Sequence, residues 1–158
     1  MQIVQTPGAI QRLRRSLGRS HGQFQQTFVT PLKQLRVFTT VVLAAHAPIE
    51  SGSVNLEQVV FTPKNLERLL LDHRLPLTYG EEWTITAGGP QESAALLRAV
   101  WGDWIDFYFT PAPKRYQIFA DHDEYTTIFA AAMDDLARVA TALTNAGFSP
   151  IDGYQRQW

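Results

Sequence analysis

The apolar positions of this chain change period several times, and each change marks an element. Between residues 104 and 120, Trp104, Ile105, Phe107, Tyr108 and Phe109 precede Pro111 and Pro113, and Tyr116, Ile118 and Phe119 follow them. Aromatic and branched residues broken by prolines predict two strands, 104–110 and 115–120. Their Pro-Ala-Pro-Lys connection is longer than a tight two-residue turn and leaves a wide tip. Beyond it, Tyr125, Ile128, Phe129, Ala132, Met133, Leu136, Val139, Ala140 and Leu143 recur at three- and four-residue intervals. That period predicts an amphipathic helix running from the turn at 121–124 to about Asn145. Asp123, Thr126 or Thr127 serves as its cap, Gly147 takes the left-handed C′ position, and Pro150 prevents its resumption.

The rest of the chain is arranged around this β-β-α unit. Residues 1–5 read as a short strand, and Ile10, Leu13 and Leu17 form the apolar stripe of a basic helix closed by Gly18. Residues 18–31, rich in Gly, Ser, Gln and Thr, read as a loop anchored by Phe24, Phe28 and Val29. Residues 37–45 are β-branched and nearly continuous, the pattern of a central strand buried on both faces. Strands are also expected over 54–61, 83–86 and, at the sheet edge, 148–158. Helices are expected over 64–73 and 91–101. No regular β-α-β alternation appears, so the fold class is α+β: a two-layer sandwich with a mainly antiparallel sheet, helices on one face and a long C-terminal helix. Residues 1–36 are expected as a basic helix and loop, either mobile or docked, and residues 37–158 as one α+β domain.

Composition narrows the chemistry. Of 158 residues, 45% are hydrophobic and 18% charged, which excludes the disordered class. Cysteine is absent, which removes disulfides, thiolate nucleophiles and cysteine-ligated zinc, and agrees with a reducing, cytoplasmic setting. No apolar run approaches the ~20 residues a membrane-spanning helix requires, so no membrane partner is expected. The basic stretch, the apolar run and Ala45, His46 and Ala47 follow the order of a secretory signal. Against that, the basic stretch is too long, and Pro48 directly follows the supposed cut. The net charge of −1 conceals an asymmetry: residues 1–49 contain no acid, whereas residues 75–158 hold eleven acids against five bases.

Three groups of residues carry candidate chemistry. Asp121, His122, Asp123 and Glu124 join carboxylates to an imidazole, a set suited to acid–base catalysis or to a divalent metal. His46, His73 and Asp106 are possible contributors from elsewhere in the chain. The same four residues also suit a helix N-terminus, where acids interact favourably with the dipole. Trp104, Asp106, Tyr108 and Tyr116 form an aromatic group suited to a ligand pocket or interface. Arg12, Arg14, Arg15 and Arg19 suit an anion or a phosphate backbone. No nucleotide-binding loop, nucleophile elbow or metal signature is present. Three functional readings follow. The preferred one is a protein-binding or accessory module acting through protein contacts, with itself as a possible homodimer partner. The alternatives are a metal-assisted or acid–base hydrolase using residues 121–124, and a binder of anions or nucleic acid through the N-terminal helix. The residues specify no cofactor.

Overall fold

Side chains at 107, 109, 118, 120, 128 and 130 are buried on one side of three successive strands, and those at 108, 119 and 129 on the other. This two-sided burial defines the centre of the molecule. The computed structural model describes residues 1–21 and 24–157, the side chains of Ser20 and His21 excepted. In chain order the elements are β1 (Gln2–Gln5), α1 (Ala9–Ser16), β2 (Phe24–Val29), α2 (Leu35–Ala44), β3 (Ser51–Gln58), α3 (Lys64–Asp72), β4 (Trp83–Gly88), α4 (Gly89–Gly102), β5 (Asp106–Ala112), β6 (Gln117–Ala120), β7 (Tyr125–Ala130), α5 (Met133–Asn145) and β8 (Pro150–Ile151). The strands form one eight-stranded sheet in the order β1-β4-β3-β5-β6-β7-β2-β8, with every pairing antiparallel.

The fold is the expected α+β sandwich, with the C-terminal helix packed among the others on one face. Phe38 and Leu43 of α2, Leu66 and Leu70 of α3, Leu96 and Leu97 of α4, and Leu136 and Val139 of α5 share one core with the sheet. Helix α1 lies on the reverse face, where Ile10, Leu13 and Leu17 cover Tyr108, Phe119 and Phe129. Burying each such side chain contributes roughly 1.5–3 kcal/mol, so α1 is held despite its polar composition. Close packing also explains Gly52. A Cβ there would lie 2.5 Å from the Phe109 ring and 2.8 Å from Ser93 Oγ.

Three elements differ from the sequence expectation. Residues 37–45 are not a central strand but lie almost wholly in α2, whose inward side chains Phe38, Thr39, Val42 and Leu43 follow a helical period. Packing against α4 and α5 overrides the β preference of the valines and threonines. The expected long helix is split: Tyr125–Ala130 is strand β7, and α5 begins at Met133. Residues 126–130 are all buried, as a strand paired on both edges must be, and the three- and four-residue spacing there was coincidental. The stretch 18–31 contains β2, which pairs with β7 and β8; Gly22 and Gln23 within it, and Trp158 at the end, lie outside the described residues.

One cap is supplied from a distance. Pro63 precedes α3 and gives it no side-chain cap. Instead, buried Asp103 accepts the Asn65 and Leu66 backbone N–H groups at 3.1 and 2.7 Å and the Asn65 amide at 2.7 Å. Asp103→Ala is expected to lower stability in urea unfolding by about 1–3 kcal/mol, since it strands the buried Leu66 N–H. Exposed Asp72→Ala is expected to change it by less than ~0.5 kcal/mol. Equal effects would remove the capping role.

Candidate functional site

On the reverse face, strand alternation sets Asp106 and Tyr108 of β5 beside Phe119 of β6 and Thr127 and Phe129 of β7. Asp121 and His122 follow directly after β6. The residues 121–124 are the β6–β7 hairpin turn, not the start of a helix. The Asp121 backbone N–H donates to the Tyr125 carbonyl at 3.0 Å, and Asp121 Oδ1 accepts the N–H groups of Asp123 and Tyr125 at 3.1 and 3.0 Å. Glu124 completes the turn at φ 74°, a left-handed conformation that few non-glycine residues adopt.

Asp106 fixes the turn from the side. Its carboxylate, buried at 7% exposure, accepts the His122 backbone N–H at 2.6 Å. It also meets His122 Nδ1 at 2.8 and 3.0 Å through its two oxygens. A carboxylate accepts only, so Nδ1 carries the proton and Nε2 is left as the free basic nitrogen of the neutral ring. The imidazole is one-third exposed, and its Nε2 lies 3.9 Å from the exposed carboxylate of Asp123. The hydrogen bond that His122 donates to Asp106 raises the His122 pKa above its ordinary value, against a smaller opposing effect of burial. Burial raises Asp106 as well, and its bonds to His122 offset this only in part.

Two arginines border this pair. Arg156, from the C-terminal segment, forms an ion pair with Asp121, and its guanidinium lies 4.3 Å over the Phe119 ring. Its backbone is clamped by Gln25, which accepts its N–H at 2.8 Å and donates to its carbonyl at 3.2 Å. Tyr154 stacks on Tyr125 with ring centroids 5.2 Å apart. From α1, Arg14 pairs with Glu57 and donates through Nε to the Tyr108 hydroxyl at 3.3 Å. Glu57 sits at a bulge, where the β3–β5 register slips between Leu56 and Gln58. Such an extra residue re-aims its side chain. Burial raises the Glu57 pKa, Arg14 pulls it down, and the neighbouring charge of Asp106 raises it again. Burial also drives the Tyr108 pKa upward.

The structure therefore brings together Asp106, Tyr108, Asp121 and His122 from two of the expected groups, and adds Arg14 from the third. Asp123 and Glu124 stand at the rim, exposed. Tyr116 lies on the helical side, where its hydroxyl donates to the Val42 carbonyl at 3.0 Å. Trp104 lines a separate shallow depression with Pro31, Lys33 and Glu124. Arg12 donates to the Pro7 carbonyl at 3.2 Å, while Arg15 and Arg19 are exposed. His46 and His73 are engaged elsewhere, with Asp135 and Glu92. Among the described residues no three His, Asp or Glu side chains converge as a metal site. Sequence reasoning missed Glu57 and Arg156. The alternation of Ser53, Asn55 and Glu57 against Val54 and Leu56 signals which face Glu57 occupies, but nothing local signals where Arg156 lands.

No family model matches this chain, and neither characterised proteins nor solved structures give a match.

The raised Glu57 pKa has a testable sign. The folded state holds that proton more tightly than the unfolded chain does. The contribution of Glu57 to stability is therefore fully present below its ordinary value of ~4.3 and declines as pH rises through the raised one. Glu57→Gln lacks that decline. Its thermal midpoint is expected to match the native chain near pH 4 and to exceed it at pH 7. A variant that loses ground as pH rises would reverse the assignment.

Proposed function

We propose that the chain is an acid–base hydrolase acting on a small polar substrate, with His122 as the proton-transferring group and Asp106 as its positioning residue. The observation that carries this reading is the buried Asp106 carboxylate holding both the backbone and Nδ1 of a one-third-exposed histidine. Such a bond selects one tautomer, orients the ring and makes Nε2 more basic. Nε2 is then suited to take a proton from water as it attacks, and to return it to a leaving group. The site is built from residues far apart in the chain and consumes stability through its buried charges. Tuned groups of this kind concentrate at functional sites.

A second reading, a protein-interaction module, draws on the apolar side chains left in solvent at Leu71 within α3 and at Val60, Phe61 and Leu77, which flank it in sequence. It ranks below the first because single exposed apolar residues are common on protein surfaces. The anion-binding reading is weakened by Glu57, which already neutralises Arg14.

The test is a panel of chromogenic esters, phosphoesters, amides and glycosides, run on the native chain and on His122→Asn. Turnover is expected to rise with pH through a pKa above ~6.5, because the base must be neutral. His122→Asn is expected to lower it by about 10²–10⁴-fold. Turnover that survives His122→Asn, or no turnover across the panel, would contradict the proposal.

A further inference from the structure

The opposite end of β5 and β6 carries a second feature, independent of the His122 reading. A cavity of about 380 Å³ is lined by His46, Glu50, Arg115, Asp135 and Arg138, with Pro48 on its wall. Beside it runs a groove of about 490 Å³, lined by Leu43, Ala44, Ile49, Pro90 and Ala94 among others. Ala47 and Pro48 belong to both, so the charged cavity and the apolar groove share a wall. Each volume falls within the ~300–1,000 Å³ typical of small-molecule sites.

The cavity lining carries charges of both signs. Two guanidinium groups and two carboxylates face it. Among the described residues, Glu50, Arg115 and Arg138 make no ion pair, and Asp135 meets only His46, at 3.9 Å. His46 is already committed, since its Nε2 donates to the Asp135 backbone carbonyl at 2.9 Å. Its ring lies against Tyr116, with centroids 5.7 Å apart. The cavity lining thus carries two positive and two negative side chains, borne by the residue before β3, the β5–β6 connection and α5. A purely anionic ligand would meet Glu50 and Asp135 as repulsion, and a purely cationic one would meet Arg115 and Arg138. A ligand carrying both signs close together meets neither.

We propose that the cavity and groove together bind a free α-amino acid with a large apolar side chain. Arg115 and Arg138 take the carboxylate, Glu50 and Asp135 take the ammonium, and the side chain lies along Leu43 and Ile49. The carboxylate contact uses the planar donor fork of arginine, which matches a carboxylate in two hydrogen bonds. The groove supplies affinity in proportion to the apolar area it removes from water.

Isothermal titration calorimetry of the full chain tests this, with L-phenylalanine as the probe. Saturable binding is expected at a Kd of about 1 mM or tighter. N-acetyl-L-phenylalanine, L-phenylalaninamide and glycine each remove one element of the match. Each is expected to bind about tenfold or more weakly, the loss of one charge-assisted contact or of the apolar burial. Arg115→Ala and Arg138→Ala, both at exposed positions, are expected to weaken L-phenylalanine by a similar factor. Ala44→Arg, which places a charged chain in the groove, is expected to do the same. Absence of saturable heat with L-phenylalanine would overturn the proposal. So would equal binding of the acetylated or amidated analogue, or full affinity in the two arginine variants.

Discussion

The structure depends on strands β5, β6 and β7 being buried on both faces. A strand in that position has no water to satisfy its polar side chains, so they depend on partners within the protein. Gln117 of β6 meets this in part, its amide donating to Thr110 Oγ1 at 2.8 Å while its Oε1 has no partner among the described residues. On the helical face the demand is met by using almost only apolar residues. On the reverse face it is met by pairing. Thr27 meets Thr127 at 2.8 Å, Tyr108 meets Arg14, Asp121 meets Arg156, and Asp106 meets His122. The last of these has a chemical consequence, because the group that satisfies the buried carboxylate is itself titratable and reaches solvent.

The partners come from outside the central strands. Helix α1 brings Arg14 because Ile10, Leu13 and Leu17 must cover Tyr108, Phe119 and Phe129. The C-terminal segment brings Arg156 because Gln25 holds its backbone and Phe119 receives its guanidinium. The bulge at Leu56 and Gln58 brings Glu57 to the same face. Each contribution is local in cause, yet together they place two carboxylates with raised pKa values and a histidine with a raised pKa on one surface. All three groups hold their protons more tightly in the folded state. The site therefore opposes folding as pH rises, and the apolar cores on both faces carry the stability.

Much of this was legible in the sequence. The aromatic and branched residues of 104–110 and 115–120, and the helical spacing within 10–17, 64–73 and 91–101, place several elements and the α+β class. The errors have a common origin. Thr39, Thr40, Val41 and Val42 favour a strand by propensity but lie in a helix, while residues 125–130 match a helical spacing but lie in a strand. In both cases long-range packing decided, and a single sequence records only local preference. The candidate site shows the same division. Asp106, Tyr108, Asp121 and His122 were visible as chemistry, and their convergence follows once the 121–124 turn is recognised as a hairpin. Glu57 depends on a register slip, and Arg156 on where a tail without periodicity comes to rest. For Glu57 the local alternation marks only the face, and for Arg156 nothing local marks the place.

The account rests most heavily on Asp106 governing the charge state of His122. NMR titration of the His122 ring in the native chain and in Asp106→Asn measures that directly. In the native chain the midpoint is expected above the ordinary ~6.5, with Nδ1 protonated in the neutral form. In Asp106→Asn it is expected to fall, since the bond that raises it is weakened while burial still lowers it. The same midpoint in both proteins, or a native ring protonated at Nε2 when neutral, would contradict the account.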